Sequence, residues 1–211
     1  MAAHKAFKGK SQTPEVLKFR RNFMDSIIRL RQEIIYGEVE IGNYNQFIIF
    51  EPKQRLICAA PLRQRIMHHA IMNVCHCIFD RQLIYDSYAS RPLKGTHRAI
   101  QRVREKSVGY RYFVKLDIRK FFDSIDHGVL KSLLRRILKD KKLLQLLDQI
   151  IDSYGCERGL PIGNLTSQYF ANYYLSPLDH YMKEDIKAPV YVRYMDDVIM
   201  MAQDKRHLMF L

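Results

Sequence analysis

Two adjacent acids, Asp196 and Asp197, interrupt an otherwise apolar stretch, Tyr191-Val192-Arg193-Tyr194-Met195-Asp196-Asp197-Val198-Ile199-Met200-Met201-Ala202. Val190 to Tyr194 and Val198 to Ala202 each read as a strand, which puts the acids at the tight bend of a hairpin. Neighbouring carboxylates flanked by buried strands repel one another where the dielectric is low. They call for compensation, and a divalent metal bound through hard oxygens supplies it simply. An isolated Asp-Asp pair is more often a solvated turn, so the weight of this one depends on what precedes it.

Charge narrows the field. The 211 residues carry 35 Lys and Arg against 22 acids, a net charge of +13, and a folded protein this basic usually faces a polyanion such as nucleic acid. Thirteen tyrosines and eleven phenylalanines offer stacking surfaces, although most such rings are core. The length suits one large or two small domains with a true core. No run of about 18 uncharged apolar residues is present, so no membrane span is expected, and without a secretory leader the chain reads as cytoplasmic. Cys58, Cys75, Cys77 and Cys156 are unevenly spaced and read as reduced thiols.

Residues 1–12 are polar and basic and read as a mobile arm. Thr13-Pro14 gives a helix start, with Thr as cap and Pro at the first helical position. Val16, Leu17, Phe23, Met24, Ile27, Ile28, Ile34 and Ile35 then recur at helical spacing, and Gly37 closes the element. Its other face carries Lys18, Arg20, Arg21, Arg29 and Arg31. That is a solvated face in most proteins; in one so basic, Arg20 and Arg21 become candidate nucleic-acid contacts.

Residues 46–51 and 54–60 read as strands about a Pro52-Lys53 turn. Ile66, Met67, Ala70, Ile71, Val74, Ile78 and Phe79 mark a second amphipathic helix. His68-His69 and Cys75-His76-Cys77 on it have metal-ligand types, but residues one or two apart on a helix do not converge on one ion. Ser87 to Arg98 is a Gly- and Pro-punctuated loop leading to a helix near Thr96, where Arg91 and Lys94 could meet phosphate. Residues 111–118 form a strand ending near Asp117, followed by Phe121-Phe122. A leucine-rich helix or helix pair fills 128–153, Gly155 to Gly163 is a loop, and 164–184 is helical with a kink or restart at Ser176-Pro177.

A strand-end aspartate, a glycine loop before a helix and an Asp-Asp hairpin suit phosphoryl transfer. Carboxylates from separate strands would hold two divalent ions along the line from nucleophile to leaving pyrophosphate. Asp117 lies 79 residues before Asp196, so any such pairing is tertiary.

Val114-Lys-Leu-Asp117-Ile-Arg-Lys-Phe-Phe122, Gly159-Leu-Pro-Ile-Gly163-Asn-Leu-Thr-Ser-Gln168 and Tyr194-Met-Asp-Asp197 resemble, in order, the palm motifs of reverse transcriptases, and Ser87 to Ile100 resembles their fingers motif. The resemblance runs from about residue 44 to 202. It implies an α+β fold of fingers (13–110, with the N-terminal helix) and palm (111–211), an antiparallel palm sheet packed on helices. It further implies that Asp117, Asp196 and Asp197 are catalytic and, with Ile118, hold Mg²⁺, with Mn²⁺ as the alternative. Arg91, Lys94, Phe122, Gly163 and Gln168 would meet the deoxynucleoside triphosphate, Phe122 lying under the sugar. Tyr194 and Met195 would touch the nucleic acid. An RNA template and a primer 3′ end are the implied partners, with no membrane.

Two departures stand out. Most of the family has Pro-Gln-Gly and Ser-Pro where this chain has Pro161-Ile162-Gly163 and Ser167-Gln168. That form resembles diversity-generating retroelements, error-prone at adenines and working with a small basic accessory protein; group II intron, retron and antiphage-defence enzymes are the alternatives. Nine residues follow the hairpin, where the family continues into a primer grip and thumb, so a thumb is expected to be absent. A truncated palm that binds nucleic acid without turnover is the non-enzymatic alternative.

Overall fold

In the computed structural model, residues 2–50, 54–155 and 157–210 are described, apart from the side chains of His207 and Phe210. In chain order the elements are α1 (Ala2–Phe7), α2 (Pro14–Arg21), α3 (Phe23–Tyr36), β1 (Asn45–Ile49), β2 (Arg55–Ala59), α4 (Leu62–Arg81), α5 (Thr96–Ser107), β3 (Tyr112–Asp117), α6 (Phe121–Ser124), α7 (His127–Ile137), α8 (Lys141–Asp152), α9 (Leu165–Tyr174), α10 (Ser176–His180), β4 (Val190–Tyr194), β5 (Asp197–Ala202) and α11 (Lys205–Phe210). A single π-helical turn, Tyr181–Asp185, follows α10. The chain is α+β as expected, with small antiparallel sheets among helices. The expected Pro52-Lys53 turn, Glu51 and Cys156 lie outside the described residues.

Contacts group the residues into two compact units: 1–76 with 125–168, and 77–124 with 169–211. In the first, β1 and β2 form a hairpin with Phe47 opposite Ile57. Its helical core gathers Ala3, Ala6, Phe7, Val16, Phe19, Leu30, Leu62 and Ile66. In the second, β3, β5 and β4 form a three-stranded antiparallel sheet in that order. Strand alternation gives the sheet two apolar faces. Val190, Val192 and Met201 pack with Tyr88 and with Ala99 of α5. Tyr191, Val198 and Met200 pack with Met182 and Ala188.

Local signals acted largely as expected. Gly37 caps α3 at φ 75°, its N–H meeting Ile34 O while Glu38 N–H reaches Glu33 O. Pro177 starts α10 after the break at Leu175. Asp126 and Asp140 accept N–H bonds from Val129 and Leu143, so the leucine-rich stretch is a capped pair, α7 and α8.

Three expectations are corrected. The opening segment is not a free arm: residues 2–7 form α1, because Ala3, Ala6 and Phe7 at helical spacing give it a face that buries. The helix expected from Pro14 to Ile35 breaks at Asn22 (φ −119°, ψ 47°). The break resets the helical phase, so α3 buries Leu30 and turns Phe23, Ile27 and Ile34 to the core, leaving Met24 66% exposed with Ile28 and Ile35 also outside. Thr13 is the N-cap residue of α2, as expected, but its side chain makes no cap bond and its hydroxyl donates to Lys10 O at 3.0 Å. On α4, Val74 is 74% exposed while His68 is buried in its place.

Neither ring nitrogen of His68 has a hydrogen-bond partner among the described residues. Burial, helped by the neighbouring His69, pushes its pKa down to about 4. The unfolded chain, with the histidine near 6.5, therefore binds the proton more readily, and stability is lost as pH falls from about 6.5 through 4. His68→Leu should remove that term, raising stability relative to the parent by about 2 kcal/mol at pH 5. Urea unfolding at pH 7 and pH 5 measures it; an equal effect at both pH values would contradict the assignment.

Candidate active site

Strand pairing in the second unit brings the expected acids to one end of the sheet. Asp117, the last residue of β3, is directly opposite Asp197, the first of β5, and Asp197 is also paired with Tyr194 at the end of β4. Met195 and Asp196 are thus the two loop residues of a tight hairpin. Met195 takes φ 55°, a left-handed conformation that non-glycine residues adopt at a cost. Asp117 is exposed, and Asp196 and Asp197 are half-buried.

The three acids offer only hard oxygens, the right chemistry for Mg²⁺ or Mn²⁺. Their backbones are well placed, but among the described residues no three His, Cys, Asp or Glu side chains gather closely enough to hold an ion. Asp197 turns instead toward Lys115, whose Nζ lies 2.9 Å from Oδ1. That hydrogen bond, and then the charge of Asp197, raise the lysine's pKa. Ile118 follows Asp117 directly. Phe121 is buried and Phe122 half-buried, edge-on to it at 5.7 Å between ring centroids, so the core takes the first of the pair and leaves the second partly open.

The hairpin is held by residues the sequence reading passed over. Arg193 and Asp179 are both 0% exposed and form a two-pronged ion pair, Nε to Oδ1 at 2.7 Å and Nη2 to Oδ2 at 2.5 Å. Nη1 donates to Asn172 Oδ1 at 2.9 Å and to Met195 O at 2.8 Å. Tyr191 donates its hydroxyl to Asp179, and burial together with that carboxylate pushes the phenol's pKa up. A signal existed: in Val190-Tyr-Val-Arg193, both strand faces are apolar, so an arginine there needs a buried acid.

The segment preceding the fingers loop is pinned in the same unit. Arg193 N–H donates to Asp86 O, and Tyr88 N–H donates to Arg193 O, each at 2.9 Å. The Asp86 side chain accepts from Arg102 and Lys183; burial alone would raise its pKa, but these cations outweigh it and hold the carboxyl below the usual range. Arg91 donates to Asp80, Ile84 O and Ser87 O. Lys94 donates to Tyr85 O, with Nζ 3.5 Å from the centre of the Tyr85 ring and 4.6 Å from that of Tyr88. Burial, then the nearby Arg91 charge, lower the Lys94 pKa. Both expected triphosphate contacts are therefore already engaged, chiefly with the chain just before their loop.

Gly163, Gln168, Arg20 and Arg21 belong to the first unit. Gly163 takes φ 114°, and a Cβ there would come 3.0 Å from Ile57 Cγ2. Its loop is strapped to β2: Cys58 N–H donates to Ile162 O at 2.8 Å, and Ala60 N–H to Asn164 Oδ1 at 3.3 Å. At the loop's other end, buried His127 donates from Nε2 to Gly159 O at 2.7 Å. Gln168 is exposed, and its N–H reaches Asn164 O at 3.4 Å. Arg20 and Arg21 are exposed at the end of α2, Arg20 lying 5.2 Å from the Phe7 ring centre. In the second unit, Tyr194 is 37% exposed and Met195 half-buried.

Because Lys115 competes with any cation for Asp197, Lys115→Gln should tighten Mn²⁺ binding about threefold, the modest effect expected of one exposed charge. Electron paramagnetic resonance of free Mn²⁺ reads this directly, and weaker binding in the variant would show that the lysine supports the site.

Several known proteins are similar to this chain. Group II intron-encoded protein LtrA of Lactococcus lactis subsp. cremoris is 28% identical over 150 residues, covering 65% of this chain and 25% of LtrA. Protein YkfC of Escherichia coli is 23% identical over 194 residues, covering 82% of this chain and 51% of YkfC. The chain therefore spans a quarter to about half the length of these curated relatives. Among solved structures, apo telomerase from Candida tropicalis truncated from its C-terminal domain superposes with a TM-score of 0.60 at 15% identity, over 80% of this chain and 45% of that one. A partial Cas6-RT-Cas1–Cas2 complex gives a TM-score of 0.53 at 18% identity, over 97% and 37%. These two show a shared fold. The model of the family described as reverse transcriptase (RNA-dependent DNA polymerase) matches residues 50–210, well over half the sequence, and the chain belongs to that family.

Proposed function

We propose that this chain carries the polymerase centre of an RNA-directed DNA polymerase, extending a primer 3′-hydroxyl with deoxynucleotides on an RNA template. The pairing of Asp117 with Asp197 beside the Met195-Asp196 turn carries the proposal, because it sets three carboxylates at one sheet end in a strongly basic protein. Asp117, Asp196 and Asp197, with the backbone oxygen of Ile118, would hold Mg²⁺ or Mn²⁺, which neutralises phosphate charge and activates the attacking hydroxyl when bound. Lys94 supplies a cation beside the N-terminus of α5, a suitable place for triphosphate oxygens; Arg91 braces the loop that carries it. Phe122, resting on buried Phe121, would lie against the sugar. Arg20, Arg21, Tyr194 and Met195 would contact template or primer.

The test is primer extension on an RNA template with Mg²⁺, using this chain and a form extended through any downstream reading frame. Asp196→Ala should lower turnover by at least about a thousandfold, as expected when a ligand to charge-neutralising ions is removed. Activity equal to the parent's would overturn the reading. Silence in both forms, with salt-sensitive RNA binding retained, would favour the non-catalytic binder.

Ile162 and Gln168 favour a second, finer reading: an error-prone, diversity-generating enzyme working with a small basic accessory protein. The curated similarities to group II intron proteins support the broader retroelement class and keep an intron-type enzyme as the competitor. Ile162 puts an apolar side chain where the family's polar amide would face the nascent base pair, and Gln168 provides a backbone N–H that proline lacks. Ile162→Gln should lower misincorporation opposite template adenine several-fold while leaving other positions nearly unchanged. Sequencing of the product DNA decides it, an unchanged adenine error rate counting against this reading.

A further inference from the structure

We propose that Arg193 is a positioning residue for the carboxylate-bearing turn: its buried guanidinium holds the Met195 carbonyl and thereby fixes the backbone that carries Asp196 and Asp197. What the turn is for rests on the polymerase reading above; how the turn is held does not.

An arginine has five N–H donors, and all five of Arg193 are used. Nε and one Nη2 proton go to the two oxygens of Asp179, and the other Nη2 proton goes to Asn172 O at 3.1 Å. The Nη1 protons go to Asn172 Oδ1 and to Met195 O. Four of these bonds tie the side chain to α9 and α10. The fifth leaves that cluster and reaches the turn.

A buried ion pair is weak grounds for stability, since apolar side chains of similar volume often serve as well. What an apolar pair cannot do is donate to a carbonyl at a fixed place. The carbonyl in question belongs to the one non-glycine residue of β4, β5 and their loop with a positive φ, 55° at Met195. A backbone in that region persists only where its surroundings over-determine it.

The anchor is itself anchored. The main chain of Arg193 is bonded on both sides to the segment at Asp86 and Tyr88. Asn172 is fixed by its Nδ2 bond to Ala89 O at 2.8 Å and by Ser87 Oγ at 3.3 Å from its Oδ1. Asp179 is further tied by the Tyr191 hydroxyl at 2.7 Å. A lysine at 193 would keep the charge but has a single ammonium, unable to form the fork on Asp179 and reach Met195 O together.

The experiment compares the parent chain with Arg193→Lys by hydrogen exchange and mass spectrometry, below the melting temperature of both. Exchange across residues 194–198 should rise about tenfold or more, with α5 and the β1–β2 hairpin within about twofold of the parent. Mn²⁺ binding followed by electron paramagnetic resonance should weaken at least about fivefold over the same comparison. Met195→Gly, which removes the conformational cost at the turn, should restore much of both losses in the Arg193→Lys background.

A uniform rise in exchange throughout residues 77–124 and 169–211 would make the arginine a core ion pair and overturn the proposal. So would an unchanged turn, or no recovery with glycine. If Arg193→Lys does not fold, the isosteric Asp179→Asn is read in the same way; failure of both to fold also overturns the proposal. A parent that binds no Mn²⁺ would sink the metal reading above, while the exchange pattern would still decide the role of Arg193.

Discussion

Arg193 and Asp179 lie entirely out of contact with solvent, and charges in that position must be paired and fully hydrogen-bonded or they unfold what surrounds them. Every donor of the guanidinium is satisfied, and the acceptors come from α9, α10 and the hairpin turn. A cost of burial that could not be met by Asp179 alone is thereby spread over a network that also fixes geometry. The strand pairing that sets Asp117 against Asp197 is continuous with it through β4 and β5.

The segment from Ile84 to Tyr88 is the second place where this organisation is concentrated. Its carbonyls accept from Arg91, Lys94, the main chain of Arg193 and Gly95 in turn, and the Asp86 side chain adds Arg102 and Lys183. Tyr88 packs with the apolar residues on one face of the sheet and Ile84 with those on the other. The loop expected to meet a triphosphate and the hairpin expected to hold its metals are thus bonded to the same five residues of backbone. The cations of that loop already have defined partners, so a ligand drawing on Lys94 must compete with the Tyr85 carbonyl and two aromatic rings.

Much of this was legible in the sequence because it is local. Strand and helix periods, Gly37 as a left-handed cap, Pro14 and Pro177 as helix starts and a tight hairpin bend at the acidic pair depend on residues a few positions apart. The ordered motifs made the fold and family legible as well. Phase was harder: one non-helical residue, Asn22, rotates everything after it, so Met24 and Ile28 moved outward and Leu30 inward. Residues 1–12 looked polar and basic taken together, but three well-spaced side chains are enough to fold residues 2–7 as a short helix onto a core.

By itself, then, the sequence determined most of the elements and their order, the α+β class and the three acids at the centre of the candidate site. Only the tertiary structure decided which partners those acids and their neighbours have. Asp179 lies 14 residues from Arg193, Asn172 lies 21 away and Asp86 more than a hundred, and nothing in local spacing pairs them. The physical reason is that a buried charge is neutralised by whatever packing brings within about 3 Å, and packing is a property of the whole fold.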